Sequence, residues 1–399
     1  MAAAAESKAG KSPEELLCAA AESGDAEAIT GLLAEGADPT HFDASGLTPL
    51  MHAATGGHAA VVQLLLDAGA PWNALSPTGI SAGDLASDSA TFDLLLDHAL
   101  RSELVLGTVA RRQAGPADSP AESYLESRVS FSEERVMDAD SKAVMMEWER
   151  PLMEAHARAV CSGGKVLNVG FGMGLVDTAI QRYEPEEHTI VEAHPEVYAR
   201  MLKLGWGEKK NVKVVFGRWQ DVLPQLGSYD ELSVSCFEGI AKQDFYLLDS
   251  SQISAASDKY DAILNKIIAL DNSVLLIHYY PKMFVHVYFI TKQHGIFFDT
   301  YGEYYEDMRE FHQHLPKLLK PGGIYSYFNG LCGDNAFFHV VYCQLVALEL
   351  ANLGYSTQFI PLPVKDCLSE EIWNGVKQKY WQLDTYHLPV CQAESEPEQ

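Results

Sequence analysis

Positive charge is scarce in this chain. Its 399 residues carry 29 Lys and Arg against 55 Asp and Glu, a net charge of −26. So acidic a surface disfavours phosphate, so that no broad nucleic-acid or anionic-membrane interface is expected and a basic protein partner suits it better. Paired cysteines are missing as well. The seven cysteines, at 18, 161, 236, 332, 343, 367 and 391, never form C-x-x-C, so neither a zinc site nor a disulfide framework is indicated and a reduced cytoplasmic or nuclear setting is expected. No apolar run reaches membrane-spanning length. The opening M-A-A-A-A-E-S-K lacks the apolar core of a signal peptide. Histidines 188, 194, 312, 314 and 339 show no metal-ligand spacing, and no metal is expected.

What is present is enough apolar residue, 47% of the chain, for two or three domains with real cores. The stretch Lys165 to Leu175 reads K-V-L-N-V-G-F-G-M-G-L. Val166, Leu167 and Val169 form a buried-strand pattern, three glycines alternate at 170, 172 and 174, and a helical pattern comes next. Strand, glycine turn and helix open a nucleotide-binding α/β unit. Glu192 closes a second apolar run 22 positions after Gly170, where a carboxylate can take both ribose hydroxyls. The dinucleotide spacing G-x-G-x-x-G is absent. G-x-G-x-G is the spacing more usual for S-adenosylmethionine, which brings no phosphate.

Residues 13 to about 100 repeat with a period of 33: Gly24 matches Gly57, Leu32-Leu33 matches Leu65-Leu66, and Gly46 matches Gly79. From Asp43 the unit D-x-x-G-L-T-P-L-M-H-A-A resembles the ankyrin repeat. Two to three helix pairs are near the lower limit for a stack, which is therefore expected to lean on the next domain. The division expected is repeats over 13–106, a linker over 107–122, an α/β domain over 123–391 and an acidic tail over 392–399. A helix is expected from about Asp140 to Cys161. Strands are expected near 165–169, 188–192, 212–216, 295–299 and 323–328, and helices near 174–183, 195–204, 305–320 and 335–353. A late strand pair, Ser356–Leu362 and Tyr380–Val390, completes a Rossmann-like seven-stranded α/β domain preceded by a small all-α repeat domain.

V-M-x-x-W-E-x-P-x-M near 144–153, V-L-x-V-G-F-G-M near 166–173, G-x-W-x-D-V near 217–222, F-D-T-Y at 298–301 and L-L-K-P-G-G at 318–323 together resemble the guanidinoacetate methyltransferase family. With ankyrin-like repeats in front, the chain resembles the related arginine δ-N-methyltransferases, the type IV protein arginine methyltransferases of fungi. That resemblance implies S-adenosylmethionine held by Phe171, Gly172, Met173, Gly174, Leu175, Val176, Ala193, His194 and Asp299, with Glu192 on the ribose and Trp219 and Gln220 beside the adenine. It implies Tyr124, Met145 and Met153 closing the pocket, Asp299 and Glu149 as catalytic carboxylates, and a protein substrate with an accessible arginine, a ribosomal protein among the possibilities. One departure is Asn168, where the family's first motif position is usually acidic; an amide can still orient the glycine loop.

The residue chemistry agrees. A guanidinium has a pKa near 13 and is a poor nucleophile until a carboxylate orients it and takes a proton. Asp299 falls at the C-terminal end of a strand, where open α/β sheets place their sites; an ordinary strand-end cap is the plainer reading. Glu149 from spacing alone could equally be a solvated helix glutamate, and Trp148 reads as core. Residues 231–294 interrupt the pattern: without them Ser228-Tyr229-Asp230 runs on into Gly295-Ile296-Phe297-Phe298-Asp299 as one strand. They read as a translated intron, with an extruded subdomain as the alternative. Competing functions are small-molecule guanidinoacetate methylation, a non-catalytic ankyrin adaptor, and, disfavoured by the glycine spacing, an NAD-dependent oxidoreductase.

Overall fold

The computed structural model describes residues 10–107, 120–226, 246–248, 275–277, 293–301 and 305–394. These fall into two compact units. One joins the repeat segment to Asn329–Asn352 and Thr357–His387; the other runs up to Phe328 and adds Leu353–Ser356 and the chain from Leu388. The contiguous division read from the sequence is corrected here, because part of the C-terminal chain packs with the repeats.

In the repeat unit two helix pairs form, Pro13–Ser23 with Ala26–Ala34 and Pro49–Thr55 with Ala59–Asp67. Their starts are written locally. Ser12 and Glu15 make a reciprocal capping box, and Thr48 and Asp25 accept the N–H groups of Met51 and Ala28. The third repeat keeps only one helix, Ser89–Ser102. A turn stands in place of the other, with Asp84 accepting from both the N–H and the hydroxyl of Ser81. Asp84 also accepts from Phe337 N–H (2.9 Å) and Asn335 Nδ2 (2.6 Å) at the start of the helix Ala336–Ala351. Phe337 and Val341 from that helix join Leu50, Leu65 and Leu95 in one buried cluster. An apolar face with no next repeat to cover it is buried this way.

The second unit opens with the helix Pro120–Glu126, so residues 120–122 of the expected linker are helical; 108–119 lie outside the described residues. A three-stranded antiparallel sheet comes next: β1 (Ser130–Phe131), β2 (Arg135–Met137) and β3 (Ala143–Met146). The single helix expected over 140–161 is therefore corrected. Val136 pairs with Met145 and Arg135 with Met146, and only after a short 3-10 turn does the helix Arg150–Val160 begin, with Pro151 in its first turn. Proline has no N–H to give, which makes it a helix starter and unsuited to a helix interior.

The main sheet has seven strands: β4 (Lys165–Val169), β5 (Glu187–Glu192), β6 (Val212–Phe216), β9 (Gln293–Phe298), β10 (Leu319–Tyr327), β11 (Tyr355–Pro363) and β12 (Thr385–Ala393), in the order β11-β12-β10-β9-β4-β5-β6. The stretch from β10 to β6 is parallel, and β12 runs antiparallel to β10. This is the Rossmann-like arrangement with its late strand pair. The 305–320 helix is corrected to Tyr305–His312 and Leu315–Leu318, because Leu319 already pairs with Gln293 in β10. The last strand starts at Thr385, not Tyr380, and reaches into the expected tail at Gln392 and Ala393.

Most of 231–294 lies outside the described residues. Within it β7 (Tyr246–Leu248) pairs antiparallel with β8 (Leu275–Ile277). Its C-terminal boundary is corrected: Gln293 and His294 belong to β9. Gln293 is buried, and His294 accepts Lys165 N–H through Nδ1 (3.0 Å) and lies 3.2 Å from Lys320 Nζ through Nε2, linking β9 to both neighbours.

Candidate active site

The C-terminal ends of β4, β5 and β9 converge on one pocket that is open to solvent. The glycine loop forms its floor. Gly170 has φ of +96°, and a Cβ there would sit 1.8 Å from the Asp299 carbonyl oxygen; only glycine lets the loop pass so close to β9. Gly170 N–H donates to Val191 O, and Asp299 N–H donates to Val169 O (2.9 Å), locking the three strand ends together. Gly174, with φ of +74°, turns the chain into the helix Leu175–Gln181.

Glu192 ends β5 and is buried. Its Oε2 accepts Phe171 N–H (2.9 Å) and its Oε1 accepts His194 N–H (2.6 Å). It also lines the pocket, so the carboxylate that ties down the loop is the one presented to a ligand. Burial raises its pKa against the pull of the backbone amides.

Asn168 is fully buried beneath the loop. Its Nδ2 donates to Gly170 O (2.7 Å) and to Asp177 Oδ1 (2.8 Å), and His188 Nε2 lies 3.1 Å from that same oxygen. Asn168 thus ties the glycine loop to Asp177, nine residues later on the next helix. Asp299 lines the pocket. Surrounding protein, then the like charges of Asp177 and Glu192, push its pKa up to about 7.

Of the residues expected around a cofactor, Tyr124, Met145, Gly172, Glu192, Ala193, Trp219, Gln220 and Asp299 line this pocket. The others are not among its lining. Met153, Leu175 and Val176 belong to a buried apolar cluster, and Phe171 packs with Ile190, Val197, Met201 and Trp206. Met173 packs against the first cluster, its N–H donating to Met145 Sδ (3.2 Å). Gly174 shapes the turn. His194 caps the helix Pro195–Lys203, and its ring lies 4.6 Å from that of Tyr124. Glu149 is neither a solvated helix residue nor part of the lining: it is buried at the end of a 3-10 turn, where Oε1 accepts Met146 N–H (2.8 Å). Trp148 is buried, as expected of core.

Sequence reasoning passed over Tyr301, Arg218 and Val144, which also line the pocket. Tyr301 stood in the F-D-T-Y motif two residues beyond Asp299, and Arg218 beside Trp219; the signal was adjacency. Asp177 could have been sought once Asn168 replaced an acid. Among the described residues only Cys18, Asp43 and His52 bring three possible metal ligands together, and the Asp43 carboxylate there already accepts from Ser45, Leu47 and His52.

A profile of the guanidinoacetate N-methyltransferase family matches residues 120–279, and one of three ankyrin repeats matches 7–101. Protein arginine N-methyltransferase 2 of Cryptococcus neoformans is 30% identical over 403 residues, covering 94% of each chain. This chain belongs to the protein arginine N-methyltransferase 2 family. The Aspergillus oryzae relative is 33% identical over 294 residues, 72% of this chain and 55% of its own length. That of Saccharomyces cerevisiae is 29% identical over 273 residues, 67% of this chain and 52% of its own. The chain thus spans about half the length of two of these relatives and nearly all of the third. The guanidinoacetate profile runs into the segment set apart at 231–294 and ends before F-D-T-Y, whereas the Cryptococcus alignment covers nearly the whole chain.

Proposed function

We propose that this protein is an S-adenosylmethionine-dependent N-methyltransferase of arginine in a protein substrate, acting on the δ-nitrogen. The observation that carries the proposal is a half-buried carboxylate, Asp299, presented beside a glycine floor and a buried carboxylate, Glu192, in one pocket. The pocket suits the cofactor by its donor set. Val144, Met145, Val169 and Trp219 offer apolar and aromatic surface, Glu192 offers an acceptor for hydroxyls, and Gly172 carries no side chain to fill the floor. A dinucleotide would bring two phosphates against Glu192 and Asp299, with Arg218 the one basic side chain in the lining among the described residues; a sulfonium brings a positive charge instead. When bound, the cofactor supplies an electrophilic methyl group.

The residues do the rest. Asp299, ionised above about pH 7, pairs with the guanidinium, concentrates electron density on one nitrogen and accepts the proton that leaves it. The acidity of the whole chain, −26, favours encounter with a basic protein over a free zwitterionic metabolite. The test is methyl transfer from labelled cofactor into a cell extract, with acid hydrolysis and amino-acid analysis of the product. Label in δ-N-methylarginine is the expected result. Label in creatine, or none with S-adenosylhomocysteine binding intact, would refute the protein-arginine reading. Glu192→Ala is expected to weaken S-adenosylhomocysteine by about 1–3 kcal/mol in calorimetry, as for lost buried charged hydrogen bonds.

A further inference from the structure

Asp138 belongs to no motif, yet it touches the pocket wall. It sits in the turn between β2 and β3, a tight one in which Ser141 has φ of +63°. Its Oδ1 is committed to that turn, accepting the N–H groups of Asp140 (2.9 Å) and Lys142 (2.8 Å). Its Oδ2 is thereby aimed away from the turn, and accepts the Tyr301 hydroxyl at 3.0 Å. Tyr301 lines the pocket with its ring 4.7 Å from that of Tyr124, which lines it too.

The two chain segments joined at this hydrogen bond are those that carry the two candidate catalytic carboxylates. Downstream of Asp138, β3 puts Val144 and Met145 into the pocket wall and leads straight to Glu149, whose carboxylate is fastened to Met146 N–H. Two residues upstream of Tyr301 is Asp299, fastened by its own N–H to β4. We propose that Asp138 is a positioning residue: by accepting the Tyr301 hydroxyl it holds the β2–β3 segment, which carries Val144 and Met145 in the pocket wall, at a fixed distance from Asp299, so that the Asp299 carboxylate meets the guanidinium plane edge-on. At 3.0 Å the phenol is within hydrogen-bond distance of the carboxylate oxygen, and such a bond fixes direction as well as distance. Burial and the nearby Asp138 raise the Tyr301 pKa, so the phenol stays protonated as the donor. Bidentate pairing with a planar cation tolerates little misplacement, and small shifts cost turnover steeply. The inference rests on the arginine reading proposed above.

A double-mutant cycle on the full chain tests it, with Asp138→Ala, Tyr301→Phe and the double variant measured for kcat and KM on an arginine-containing protein substrate, and for S-adenosylhomocysteine affinity by calorimetry. Each single variant is expected to lose about tenfold in kcat/KM, the double no more than either, with cofactor affinity within about twofold of wild type, because groups that act as a unit are not additive. Asp138→Asn, whose amide can bridge to the phenol oxygen, is expected to retain at least about half of wild-type kcat/KM, and it serves where Asp138→Ala folds poorly. Unchanged kcat/KM in Asp138→Ala, additive losses, or cofactor affinity falling in step with turnover overturns the positioning role while leaving the arginine reading in place. A wild type that binds S-adenosylhomocysteine and methylates no arginine overturns both.

Discussion

Asp299→Asn separates what this site does from what it costs the fold. The Asp299 carboxyl is raised from an ordinary 3.8 to about 7 by desolvation and by the charges of Asp177 and Glu192. A shift of about three units corresponds to roughly 4 kcal/mol at about 1.36 kcal/mol per unit. For an acid raised in the folded state the sign is unfavourable. There is no penalty below the unfolded value; it grows as pH rises from about 4 towards 7, and it is complete above that. An amide removes the charge and keeps the shape, though it stays desolvated, so we take half the figure. Asn is therefore expected to stabilise the ligand-free protein by about 2 kcal/mol at pH 8, and by less than half of that near pH 5. Turnover should fall by about 10²-fold or more, as for a lost general base. Calorimetric melting at the two pH values, beside methyl transfer, makes the measurement. In wild type, kcat/KM should rise with pH through about 7 and level off. A variant that melts lower at pH 8 than wild type, or that keeps near-normal turnover, refutes the argument.

The packing sets three further outcomes. Asp84→Ala should cost the repeat unit about 1–3 kcal/mol in thermal or urea melts, because it removes the acceptor for Ser81, Asn335 and Phe337 together; an unchanged midpoint would show that the helix 336–351 caps the repeats without it. His156 and His312 are buried and neutral, their pKa values depressed by desolvation to about 3. A lowered histidine favours the fold above its unfolded value of about 6.5, and that contribution drains away as pH falls from there towards 3. Acid unfolding should therefore move to lower pH in His312→Gln, and a midpoint that stays put would acquit that residue. Deletion of 231–292, which leaves Gln293 and His294 in β9, should preserve methyl transfer and raise soluble yield; loss of folding in that variant alongside a soluble full chain would make the segment part of the enzyme.

Local chemistry was enough to write the repeats and the sheet. Ser12, Thr48 and Asp25 start helices by satisfying their own first amides, and the strands 165–169 and 212–216 lie where their apolar runs end. A carboxylate at the close of β5 and another at the close of β9 were equally readable, since strand ends in a parallel sheet face one edge. Elements whose fate depended on a distant partner were not. Ala143–Met146 has a helix-compatible sequence and became a strand because β2 offered backbone bonds to it. Phe171 stands in the glycine motif and points into the core, because the Gly170 turn gives its N–H to Glu192 and its ring to Trp206. Asp177 partners Asn168 only because a helix turn returns it to the underside of the loop. The truncated third repeat finds its cover some 250 residues downstream, at Phe337. Periodicity and capping act over a turn or two of chain; burial of a face, and the pairing of a buried charge, are settled by whatever the folded chain brings beside it.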